Sequence, residues 1–153
     1  METIRFQIGQ CRINVNIGKT KDFYKSQPKI SENCTCKDCS YFENIVTKKN
    51  IRLMKILSQM GVDLTRQPNI NLNGVCSTGE TEKFQRSYMG YYKVFGRLGK
   101  TQKSTQTINK EGQLESVDFY EPEDDSYIQY KVRQETNDQL TVDFYLECEK
   151  KKN

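Results

Sequence analysis

Leu140-Thr141-Val142-Asp143-Phe144-Tyr145-Leu146-Glu147-Cys148 alternates apolar and polar residues without a break. Successive side chains of an extended chain point to opposite faces. Leu140, Val142, Phe144, Leu146 and Cys148 are therefore expected to face a core, and Thr141, Asp143, Tyr145 and Glu147 the other side. Upstream, residues 127–133, 114–120 and the aromatic-rich 88–98 read as further strands, separated by polar turns at regular intervals. At the start of the chain Ile4, Phe6 and Ile8, then Ile13, Val15 and Ile17, flank Gly9-Gln10 in the pattern of a β-hairpin. Residues 69–75 read as extended, followed by a polar loop through Glu80.

Between these strands the period changes. Ser40-Tyr41-Phe42-Glu43 has the spacing of a capping box, which predicts a helix starting at Ser40. Phe42, Ile45, Val46, Leu53, Ile56, Leu57 and Met60 continue it as an apolar stripe, and Gly61 can close it in a left-handed conformation. Thr47-Lys48-Lys49-Asn50 interrupts the stripe and allows two short helices in succession. Residues 19–38 are polar, contain Pro28 and three cysteines, and read as an irregular loop. The simplest assembly is a single α+β domain over residues 1–149: an antiparallel sheet of about five to seven strands with one or two helices on a face. Lys150-Lys151-Lys152-Asn153 reads as a basic, disordered tail.

With 153 residues, nine Tyr, seven Phe and no Trp, the chain can bury one core. It shows no run of the roughly 20 apolar residues a membrane helix needs, and Met-Glu-Thr-Ile-Arg-Phe lacks the layout of a signal peptide. A cytoplasmic location is expected, and with it six reduced or metal-bound cysteines in place of disulfides. On that reading the sequon Asn33-Cys34-Thr35 carries no glycan.

Charge is segregated. Residues 1–110 hold 19 Lys/Arg against 8 Asp/Glu, and residues 111–149 hold 2 against 12. Two faces of opposite sign would give this pattern, and so would oppositely charged strands that neighbour and neutralise one another.

Cys34-Thr35-Cys36-Lys37-Asp38-Cys39 is the chemically unusual stretch. Soft thiolates suit zinc, and Cys36-x-x-Cys39 has knuckle spacing. Cys34 offers a third ligand, and Cys76 or Cys11 would have to close the tetrahedron from a distance. The same residues also read as reduced thiols that pack or face solvent, or as a redox pair with Cys39 just before a helix. Gly96-Arg-Leu-Gly99-Lys100-Thr101 has too few residues between its glycines for a phosphate-binding loop, and the acidic Glu121–Asp125 stretch lacks calcium-loop spacing. No histidine is present, so Ser-His and Cys-His dyads are excluded and a non-enzymatic protein is expected. Tyr88, Tyr91, Lys93, Phe95 and Arg97 form a candidate binding surface, since rings between cations suit single-stranded nucleic acid.

Three segments taken together, Cys34-Thr-Cys36-Lys-Asp-Cys39-Ser-Tyr-Phe42, Leu57-x-x-x-Gly61-Val62-Asp63 and Tyr88-Met-Gly90-Tyr-Tyr92-x-x-Phe95-Gly96, resemble a loose group of small uncharacterised proteins of Gram-positive bacteria and their mobile elements. The resemblance covers about residues 3–98 and brings no named activity. What it implies is one intact cytoplasmic domain. The expected function is a non-enzymatic protein-binding module, of accessory, immunity-type or defence-related character. The alternative is a zinc-stabilised nucleic-acid-binding protein.

Overall fold

A computed structural model describes residues 3–8, 11–70, 74–99, 106–108, 114–123 and 126–152, with backbone only for residues 8, 11, 106–108 and 114–123. The architecture is α+β, as the alternation at residues 140–148 predicts. Eight strands form one antiparallel sheet: β1 (Ile4–Ile8), β2 (Cys11–Val15), β3 (Val75–Ser77), β4 (Phe84–Leu98), β5 (Gln106–Ile108), β6 (Leu114–Glu123), β7 (Ser126–Gln134) and β8 (Gln139–Lys150). Their spatial order is β1-β2-β4-β8-β7-β6-β5, with β3 also on β4. The count exceeds the expected five to seven because β3 and β5 are three-residue pieces.

β8 lies at the centre. Leu140, Val142, Phe144, Leu146 and Cys148 are all buried, together with Ile128, Tyr130 and Val132 of β7 and Tyr88, Tyr92 and Val94 of β4. The helical layer covers that face. It comprises α1 (Ile17–Lys25), α2 (Ile30–Asn33), α3 (Lys37–Asn44), one 3-10 turn (Val46–Lys48) and α4 (Arg52–Gln59). Phe42 of α3 stands 5.1 Å from the Tyr88 ring and stacks on Phe144 at 6.1 Å, while Leu53, Met54 and Leu57 bury the apolar stripe of α4. Gly61 ends that stripe with φ 99, the left-handed conformation expected of it. A Cβ there would lie 2.8 Å from the Ile17 carbonyl oxygen, so the turn also needs glycine for its closeness to α1.

Residues 19–38 are not the expected irregular loop. Ile17, expected in a strand, opens α1 instead, because the Asn16 carboxamide accepts from the Lys19 N–H at 3.0 Å and caps the helix. The buried face of α1 is Thr20 and Tyr24, whose hydroxyls serve the sheet. On the side of β4 away from β8, β2 pairs with Gly96–Leu98 and β3 with Tyr88–Gly90. Between them Tyr24 Oη donates to the Lys93 carbonyl and accepts from the Lys93 N–H, both at 2.8 Å. Thr20 Oγ1 accepts from the Phe95 N–H at 3.0 Å, and the Asn16 N–H donates to the Phe95 carbonyl at 2.8 Å. Helix side chains thus complete a strand ladder, leaving α1 few apolar positions for a periodicity argument to find.

Two further expectations are corrected. Ser40 is not a cap: α3 begins at Lys37 with Cys36 at the cap position, and Glu43 reaches across to accept from the Ser31 N–H of α2 at 3.0 Å. The basic tail is ordered through Lys151, since Lys150 pairs with Phe84 and the Lys151 N–H donates to the Lys83 carbonyl at 2.8 Å.

Candidate metal centre

The three clustered cysteines sit where α2 hands over to α3. Cys34 is the C-terminal cap of α2, its N–H on the Ile30 carbonyl, and the chain bends at Cys36. Cys36 then takes extended angles (φ −66, ψ 157) at the N-cap of α3, and its Sγ accepts from the Cys39 N–H at 3.3 Å. Sulfur stands here in the place of the usual Ser or Asp oxygen. Cys39 is therefore in the first turn of the helix, not just before it. It is buried, Cys34 is half-buried and Cys36 is exposed.

The three Sγ atoms all lie within 4.8 Å of one another, and the Cys34 thiol reaches Cys36 Sγ at 3.3 Å. With Zn–S bonds near 2.3 Å, a tetrahedral site needs sulfur–sulfur edges of about 3.8 Å. The observed spacings bracket that value, so a soft metal ion could be held by small side-chain rotations. The Cys39 N–H, followed by the Cys34 and Cys39 thiols, lowers the Cys36 thiol below its ordinary range. Burial pushes the Cys148 thiol in the core the other way. In metal-free protein Cys36 is expected to be the first thiol alkylated as pH rises, with Cys148 unreacted until unfolding; peptide mapping after brief iodoacetamide treatment at stepped pH checks both.

A frame of polar contacts fixes this turn to the sheet. Asp38, between Cys36 and Cys39, accepts from Arg86 Nη1 at 2.9 Å and from Ser77 Oγ at 3.1 Å, and its carbonyl accepts from Tyr88 Oη at 2.9 Å. Arg86 in turn lies 3.9 Å over the Tyr41 ring and pairs with Glu149. Asp38 is thus engaged by the sheet and orients the loop. The sequence offered the cysteines by spacing, but no local signal linked Asp38 to Arg86, 48 residues away.

Cys76 does not close the tetrahedron. Strand alternation in β3 turns Ser77 toward Asp38 and Cys76 to the opposite side, exposed and paired in register with Met89. It lies outside the three-sulfur group. Of Cys11, the other candidate, only the backbone is described.

Nor do Tyr88, Tyr91, Lys93, Phe95 and Arg97 form one exposed surface. Tyr88 is 0 % exposed and points into the core, where burial first of all pushes its phenol up to about 12. Phe95 is 8 % exposed, covered by the Phe23 ring at 5.5 Å and by Lys19 at 4.8 Å. Tyr91 and Lys93 are half-buried, and Arg97 is exposed with Nε donating to the Asn137 carbonyl at 2.7 Å. No helix among the described residues is long and apolar enough to cross a membrane. Comparison with protein-family models, curated proteins and solved structures gives no match for this chain.

Proposed function

We propose that this chain is a non-enzymatic, cytoplasmic protein-binding module whose α2–α3 turn is stapled by one zinc ion on Cys34, Cys36 and Cys39. The observation that carries this reading is the convergence of three sulfurs within 4.8 Å at a turn already tied to β3 and β4. Three protein thiolates leave a fourth position for water or for a partner's side chain, and the exposure of Cys36 puts that position within reach of solvent. Ile70, 65 % exposed, lies beside α2, where Asn33 Nδ2 donates to its carbonyl at 3.3 Å. A large apolar side chain next to a rigid turn supports a protein partner there. An accessory, immunity-type or defence-related role in a mobile element is the setting we propose for it.

Metal analysis of protein purified under reducing conditions tests the staple. The expected result is one zinc per chain, lost in Cys36→Ser together with about 5 °C or more of melting temperature. Wild-type protein that holds no zinc as purified, or a melting temperature that Cys36→Ser leaves unchanged, would overturn it. For the partner, Ile70→Asp is expected to keep zinc and lose a stoichiometric protein captured from the native host at low salt. Capture of no such protein by the wild type would end the binding-module reading.

A further inference from the structure

Four lysines outside the ion pairs of the sheet gather on the helical layer. Several carboxylates of β8 and the β7–β8 turn are paired: Asp138 with Lys19, Glu149 with Arg86, and both Asp143 and Glu135 with Arg133. Among the described residues no salt bridge includes Lys21, Lys48, Lys49 or Lys55. These four come together on the helical layer. A cavity of about 550 Å³ is lined by Lys21, Lys25, Lys48 and Arg66, and a second of about 490 Å³ by Lys48, Lys49 and Lys55. Thr47, Lys48, Ser58 and Leu64 line both, so the two are one continuous groove between α1, the 3-10 turn and α4. Its one lining carboxylate, Asp63, is engaged by Arg66 at 3.2 Å and by the Thr65 hydroxyl at 2.6 Å.

We infer that this groove binds the phosphodiester backbone of duplex nucleic acid. With Lys25 on Asp22 and Arg66 on Asp63, the four lysines Lys21, Lys48, Lys49 and Lys55 set its sign, and the Ser58 hydroxyl adds a donor for phosphate oxygens. A concave basic surface focuses its field on a polyanion. Single-stranded nucleic acid is disfavoured because such sites stack bases on exposed rings. Tyr24, the sole aromatic in the lining, is 1 % exposed and has its hydroxyl on Lys93. A protein partner is disfavoured because the apolar lining residues Met54, Val62 and Leu64 are themselves buried and offer no anchor. Recognition by backbone contacts alone reads little sequence. This groove is distinct from the cysteine turn, and the inference does not rest on zinc.

Anisotropy titration of the full chain with a duplex of about 20 base pairs, from about 50 to 200 mM salt, tests it. Binding is expected to weaken steeply with salt. In the triple variant Lys21→Gln, Lys48→Gln, Lys55→Gln the affinity should fall by about tenfold or more, and the slope of log K against log salt should flatten by about 0.9 per lysine lost. Lysine-to-arginine replacement at the same three positions should restore both. The control pair Lys37→Gln, Lys83→Gln lies outside the groove and should leave the slope within about one lysine's worth of the wild type. Absence of binding at the lowest salt would overturn the inference. So would equal weakening per charge in the control pair, or tighter binding to anionic vesicles, polyglutamate or a single strand of the same length than to the duplex. Circular dichroism of each variant separates lost binding from lost folding, and Cys36→Ser, tested alongside, should bind the duplex wherever it remains folded.

Discussion

Phe42→Ala is expected to lower unfolding free energy by about 3–5 kcal/mol, the range for removing a buried aromatic side chain. The ring is completely buried and stands between α3 and two strands, with Tyr88 at 5.1 Å and Phe144 at 6.1 Å. Phe144 is itself stacked on Tyr92 at 5.8 Å, so these walls belong to β4 and β8 and cannot collapse inward without breaking strand pairing. The cavity should therefore stay open, which puts the cost toward the upper end. Urea denaturation measures it, and a loss below about 1 kcal/mol would show that the layer repacks. Phe42→Leu, which keeps most of the volume, should cost clearly less. Because α3 also carries Cys36 and Cys39, metal affinity is expected to fall in Phe42→Ala with every cysteine present.

Tyr24→Phe keeps the ring and removes one oxygen, and is expected to cost about 2–3 kcal/mol. That oxygen serves both the N–H and the carbonyl of Lys93, at 2.8 Å each. Its loss leaves two backbone groups without partners, each worth about 1–3 kcal/mol when buried, and part-exposure of Lys93 keeps the total below the sum. Hydrogen exchange at the Lys93 amide gives a local reading: protected in the wild type, fast in the variant. Burial, the largest cause, pushes the Tyr24 phenol far above the usual tyrosine range, and Tyr92 likewise. Above pH about 10 the unfolded chain releases phenolic protons that the folded chain keeps, so the contribution of these two tyrosines to stability should be level below that pH and fall above it. A wild-type chain whose stability stayed flat to strongly alkaline pH would contradict the burial of these hydroxyls.

The parts of the fold legible in the sequence were those held by apolar side chains in regular alternation. β8 could be read residue by residue because every second position meets the core, and α4 because Leu53, Leu57 and, at its end, Met60 of the expected stripe are buried at helical spacing. α1 was illegible for a physical reason: its buried residues Thr20 and Tyr24 act through hydroxyls on a backbone some 70 residues away, and polar atoms in that role leave no periodic apolar trace. The Ser40–Glu43 spacing misled because Glu43 caps the neighbouring α2, a choice set by tertiary proximity. At the cysteine turn, spacing identified the three thiols that do meet, while alternation in β3 removed Cys76. The charge segregation divided between its two explanations. Arg86 of β4 neutralises Glu149 of β8 and Lys19 of α1 neutralises Asp138 of the β7–β8 turn, and the helical lysines remain as a face.

The divided side of β4 bears on how the molecule behaves in a crowd. A 15-residue strand with a bare edge would offer other chains a long template for pairing, the usual seed of aggregation. Here β3, the Gly74 carbonyl on the Tyr91 N–H, the hydroxyls of α1 and then β2 occupy that edge from Tyr88 to Leu98. Each piece is short, so no released segment exposes more than a few unpaired groups at a time. Loosening α1 opens only the middle of the edge, between two strands that still block entry from either end. The chain thereby carries its own guard against strand exchange, built from two short strands, the Gly74 carbonyl and one helix.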